Sequence, residues 1–185
     1  ETMYKKKREE LEKIIGKLPE KDAGMQGDKA VWAVEDLEES DWKTMELPGL
    51  WEGKGLDGLD GVVWFRKKVE LTQEQADRIA QIYLQKIDDS DITWINGEKV
   101  GETNSYNAER SYPIREGLLK PGKNTIVVRV QDTGGGGGVY GDPDLMKLMG
   151  STISVPLAGE WKYKIGEGKA AISRSPNSYP SLLYN

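Results

Sequence analysis

The 185-residue sequence contains no histidine and no cysteine. Without imidazole, neither Ser-His-Asp nor Cys-His catalysis is available inside the chain. Without thiols there is no disulfide, no thiolate nucleophile and no Cys/His zinc site, and the redox compartment stays open. Phenylalanine occurs once, against six Trp and eight Tyr, so the aromatic side chains are the amphipathic kind. Positive charge is in deficit, with 26 Lys and Arg against 31 Asp and Glu, for a net charge of -5. The isoelectric point lies near 5.0 and the mean hydropathy is -0.64. That balance disfavours a phosphate-binding surface, so nucleic acid is not an expected partner. No apolar run approaches the ~20 residues of a membrane-spanning helix, so no membrane partner is expected either. Glycine is abundant at 22 residues, well above the ~7% of an average chain. The length suits one sandwich-type domain, alone or with an appendage. No signal peptide is visible, and the start at Glu1 suggests a fragment cut from a longer polypeptide.

Residues 1–28 read as an N-terminal helix and linker. Leu11, Ile14, Ile15 and Leu18 recur at helical spacing among Lys and Glu, which predicts an amphipathic helix over Met3 to Lys17. The Lys5–Arg8 run reads as its solvated face. Gly16 and Pro19 end it, and Pro19 to Asp28 follows as the linker. Residues 29–168 carry short strands with turn signals every ~8–12 residues, the rhythm of a β-sandwich. Val62 to Leu71 opens as an apolar run and continues as alternation. Gln73 to Arg78 suits a helical turn. Ile79 to Ile87 reads as a strand with Ile82, Leu84 and Ile87 inward. Ile92 to Ile95, Asn96-Gly97 and Glu98 to Val100 form a hairpin signal, because Asn-Gly tolerates the positive φ of a type I′ turn. Ser111 to Ile114 is a short strand, Asn124 to Gln131 a central one, and Thr152 to Leu157 and Gly159 to Ile165 close the domain. Residues 169–185 read as an extended, Pro-punctuated tail returning toward another domain.

Gly134 to Gly138 is a run of five glycines. Such a run is not expected to form a packed strand. A structural or flexible loop is favoured over a loop at the edge of a ligand. It is no phosphate loop, since no Gly-Lys-Ser/Thr follows.

Three stretches bear comparison with known families. Asp41-Trp42 to Trp51-Glu52 leads into Trp64-Phe65-Arg66-Lys67. Ile87 to Gly101 reads IDDSDITWINGEKVG. Glu109 to Asp132 contains RSYPI and GLLKPGKNTIVVRVQD. This opening, with WFRK, an NG turn and a closing VRV strand, resembles the jelly-roll sugar-binding-like domain of family 2 glycosidases. The fuller wording, together with LAGEWKY at 157–163 and PSLLYN at 180–185, resembles more closely the β-sandwich inserted in bacterial sialate O-acetylesterases. The resemblance covers residues 30–185. It implies a mainly β, jelly-roll, galactose-binding-like sandwich, packed on an SGNH-type catalytic domain that removes O-acetyl groups from sialic acids. It also implies a periplasmic or secreted location. The nucleophilic serine and its Asp/His partners would lie outside this chain, so the segment is expected to be non-catalytic and to need no cofactor. A stand-alone carbohydrate-binding module and the N-terminal domain of a family 2 glycosidase are the alternatives. The PSLLYN tail speaks for the esterase host over the glycosidase.

Sugars are held by aromatic faces and planar polar side chains. Trp51, Glu52, Arg110, Tyr112, Asp132 and Tyr140 lie on predicted loops or strand ends and are the candidates for glycan contact. The favoured alternative makes Trp51 and Tyr112 edge-of-core aromatics and pairs Arg110 with Asp60 or Asp132. Trp64, Trp94 and Trp161 read as core. Asp88, Asp89 and Asp91 could hold a hard cation through oxygen ligands, but a solvated turn is the favoured reading and no metal is assigned. Paired carboxylates for glycoside hydrolysis are not singled out by any local motif.

Overall fold

The computed structural model describes residues 6, 9–13 and 16–170. Residues 9–13 are helical, inside the expected N-terminal helix. The expected tail lies outside the described residues from 171 onward, as do parts of that helix.

The rest is an antiparallel β-sandwich. One six-stranded sheet runs β3 (Lys43–Leu47), β14 (Gly159–Ala170), β5 (Leu59–Leu71), β10 (Gly122–Asp132), β7 (Ser90–Ile95), β8 (Glu98–Asn104). The other runs β13 (Ser154–Pro156), β12 (Lys147–Met149), β6 (Gln81–Asp88), β11 (Gly138–Tyr140), β4 (Gly49–Leu50), with β9 (Glu109–Pro113) on the opposite edge of β6. A two-stranded ribbon, β1 (Met25–Gln26) and β2 (Lys29–Ala30), precedes both.

The apolar run that opens β5 is explained by burial on both faces, which a one-sided strand would not need. Val63 and Phe65 point into the inter-sheet core with Ile82, Leu84, Ile126, Val128, Leu148 and Trp161. Val62 and Trp64 point the other way, into a second cluster with Trp42, Trp94 and Val127. Beyond Lys67 only one face is covered, and β5 alternates, with Val69 and Leu71 inward. In β6 an extra residue at Gln85, held at φ 64, shifts the register against β9. The inward positions therefore run Ile82, Leu84, Ile87 and not in strict twos. Asn96 (φ 50) and Gly97 (φ 80) make the expected type I′ turn between β7 and β8. The helical turn after β5 is α1 (Gln73–Arg78), closed by a capping box in which Thr72 Oγ1 accepts from the Gln75 N–H at 3.1 Å.

Residues 19–28, expected as a linker, instead begin a strap over the outer face of the first sheet. The Asp22 carboxylate accepts from Trp64 Nε1 at 2.8 Å and from Arg129 Nε at 2.7 Å. Arg66, fully buried, holds the following turn by donating to Glu39 at 2.8 Å and to the carbonyls of Trp32 and Val34 at 2.7 and 2.8 Å. Trp64 and Trp94 are thus buried under the strap and not between the sheets, whereas Trp161 lies in the main core. The last part of β14 runs beside the strap's first residues, with Gly168 N–H donating to Pro19 O and Ala23 N–H to Gly166 O, both at 2.9 Å.

Candidate functional site

The pairing of β10 with β7 runs from Ile126–Ile95 to Gln131–Ser90. Continued by one residue, it lands Asp132 beside Asp89. The pairing of β10 with β5 puts Asp132 opposite Gly61, next to Asp60. The acidic stretch between β6 and β7 therefore meets the end of β10 at one end of the sandwich, and two carboxylate centres form there.

The first centre is Asp91. Its Oδ1 accepts from Arg110 Nε at 2.7 Å, and its Oδ2 accepts from the Thr93 hydroxyl at 2.8 Å. Tyr112 OH lies 2.9 Å from both oxygens. Arg110 also donates to the carbonyls of Ala108, Asp89 and Thr103. Burial works against the ionised carboxylate, and these donors work for it. Burial also pushes the Tyr112 phenol above its ordinary value, so it stays a donor. Its ring lies flat on Gly101, where a Cβ would stand 2.2 Å from the ring, so only glycine fits.

The second centre is Asp88, Asp89 and Asp132, whose ligand-capable oxygens lie within 4.8 Å of one another. Asp89 Oδ2 accepts from the N–H and the hydroxyl of Thr133, each at 2.8 Å. Burial pushes Asp89 up, but its hydrogen bonds with Asp88 and Thr133 outweigh that and hold it low. Asp88 is pushed up to about 7, first by burial and then by neighbouring Asp89 and Glu52. Asp132, 2% exposed, accepts from Gly134 N–H at 3.0 Å through Oδ1, while Oδ2 has no hydrogen-bond partner. Burial first, then the charges of Asp60, Asp89 and Asp88, push it up to about 8.

The glycine run closes over this centre. Gly137 N–H donates to the Glu52 carboxylate at 3.1 Å, and a Cβ on Gly137 would sit 2.1 Å from the Trp51 ring. The run ends as a strand, contrary to expectation, because Gly138 pairs with Leu50 on one side and Asp88 on the other. Beside the centre, a groove of about 640 Å³ runs along β7, β8 and β10, with Asp89, Asn104, Tyr106, Arg129 and Gln131 among its walls.

The expected glycan-contact residues scatter. Trp51 is 0% exposed and donates Nε1–H to Leu59 O at 3.2 Å, so its ring offers no face to a ligand. Tyr112 and Arg110 belong to the Asp91 centre, and Arg110 pairs with Asp91 rather than with Asp60 or Asp132. Asp91 in turn leaves the expected Asp88/Asp89/Asp91 cluster, and Asp132 takes its place. Glu52 and Asp132 accept from opposite ends of the glycine run, at Gly137 and Gly134, and burial raises the Glu52 carboxyl. Tyr140 donates its hydroxyl to Tyr106 O at 2.5 Å. Tyr106, 62% exposed and facing the groove, was not singled out from the sequence.

Residues 32–136 match the family described as the beta-galactosidase second all-beta domain. The chain belongs to this family. As a beta-galactosidase second all-beta domain it is a non-catalytic accessory β-sandwich of glycosidase-like proteins. Over 117 residues it is 27% identical to a protein of Formosa agariphila that carries a provisional beta-glucuronidase name. The aligned part is 57% of this chain and 11% of that protein. Bacteroides uniformis beta-glucuronidase 2 shares the fold with a TM-score of 0.54 at 21% identity, over 75% of this chain and 16% of the enzyme. A beta-glycosidase from Bacteroides vulgatus does so with a TM-score of 0.53 at 17% identity, over 76% of this chain and 18% of that one. The domain thus spans less than a fifth of these relatives. They are glycosidases, and they do not support the sialate O-acetylesterase host that the wording of the sequence suggested. Among the described residues, no helix is long and apolar enough to cross a membrane.

Proposed function

We propose that this domain serves a family 2-type glycosidase of the beta-galactosidase or beta-glucuronidase kind, seated against a catalytic domain that supplies the paired carboxylates. The family match over residues 32–136 carries this reading. The groove beside Asp89 gives the domain a surface for glycan. Tyr106 offers a ring face, and Asn104, Gln131 and Arg129 offer polar groups at its sides.

Reading the parent gene on both sides tests the host. A TIM barrel downstream with two glutamates is the expected result. A serine block upstream with an Asp-x-x-His block downstream would replace the host by an esterase. Calorimetric titration of the domain with millimolar galactosides and glucuronides tests the groove. Binding that is lost in Tyr106→Ala is expected, and no heat at all would remove the glycan contact while leaving the accessory role.

A further inference from the structure

The geometry points to a cation site: we propose that Asp88, Asp89 and Asp132 together hold one hard divalent cation of the calcium class. This goes beyond the accessory reading and does not depend on which host carries the domain.

Two independent observations carry it. Three carboxylates from two strand ends place their oxygens within 4.8 Å of one another. Separately, Asp132 is 2% exposed and, among the described residues, no N–H or hydroxyl donates to its Oδ2, whose nearest polar company is the acidic Asp89. A buried acceptor with nothing to accept from is costly, and native interiors rarely leave one so unless an ion or water completes it. The other carboxylates lie close by. Asp89 accepts from Thr133 through Oδ2. The Asp88 and Glu52 carboxylates converge beneath Gly136, each 3.8 Å from the point where a Cβ would stand. No lysine or arginine forms an ion pair with Asp88, Asp89 or Asp132 among the described residues; the nearby Arg110 is committed to Asp91 and to carbonyls. Oxygen-only donors select a hard cation, and three carboxylates with water in the remaining positions suit calcium better than a softer metal. The cation would tie the β6–β7 junction to the end of β10.

The test is terbium luminescence of the chelator-stripped 185-residue protein, with excitation into Trp51 and its neighbours, followed by displacement with CaCl2. One sensitised site per chain, displaced by calcium and accompanied by a rise in melting temperature in millimolar CaCl2, is expected. Asp132→Asn should weaken binding at least tenfold. Should that variant unfold, Asp88→Asn, at a half-buried position, is expected to show the same loss. Absence of sensitised emission and of any melting shift overturns the proposal, and so does undiminished binding in a folded Asp132→Asn or Asp88→Asn protein.

Discussion

Four residues, Asp88 to Asp91, feed two buried carboxylate centres that are built on opposite terms. Asp91 receives a guanidinium, a phenol and a hydroxyl, and its arginine makes three further bonds to carbonyls. Asp132, a few residues away in space, receives one backbone N–H and three acidic neighbours. The first arrangement is complete without a ligand, and its role is to lock β7, β8 and β9 together. The second is complete only with a proton or a cation. A count of acids along the sequence treats the two alike, and satisfaction of their lone pairs separates them.

The largest effect should come from breaking the satisfied centre. Asp91→Ala leaves Arg110 buried without its counter-ion, a loss that costs about 3–5 kcal/mol in comparable buried pairs, read as a lower urea midpoint at unchanged slope. Tyr112→Phe keeps the ring on Gly101 and removes one donor to a charged acceptor. It should cost roughly 1.5–3 kcal/mol by the same measurement. The sharpest contrast belongs to Asp132→Asn in chelator, whose effect should depend on pH. The folded carboxyl of Asp132 binds its proton more tightly than the unfolded one, at about 8 against 3.8. Its stabilising contribution is complete below the unfolded value and is lost as pH rises through about 8. Metal-free protein should therefore lose stability from about pH 4 toward pH 8. Asparagine cannot ionise, so the variant's profile should be flatter and should overtake the parent within that window, with no further divergence above pH 8. Equal slopes in the two proteins would show that Asp132 titrates normally.

Much of the sandwich was legible because its longest strands carry their pattern locally. β5, β10 and the Asn96-Gly97 hairpin are marked by apolar runs, alternation and one turn dipeptide. The short strands β4, β11 and β12 have two or three residues each, too few for a period, and β11 starts on a glycine. The strap was illegible for another reason. Trp32 and Trp42 lie in a segment without periodicity, and it is the second buried face of β5 that gives them something to cover. At the candidate site the carboxylates of 88 and 89 were visible as a pair. Their third member stands on β10, and only the β7–β10 register brings it there. Trp51 and Tyr112, read from the sequence chiefly as edge-of-core aromatics, are buried, each against a glycine that the sequence does not mark as a contact.

The strap also gives this domain an optical reporter of its own. The Trp64 and Trp94 rings lie 5.3 Å apart at an interplanar angle of 15°, with Trp32 standing edge-on to Trp64 at 6.0 Å. Indoles held so close share their electronic excitations, and a fixed, chiral arrangement of them imprints a paired positive and negative band on circular dichroism. That signature arises on one side of a single sheet, so its disappearance during titration or heating would time the peeling of residues 22–42 separately from collapse of the sandwich interior.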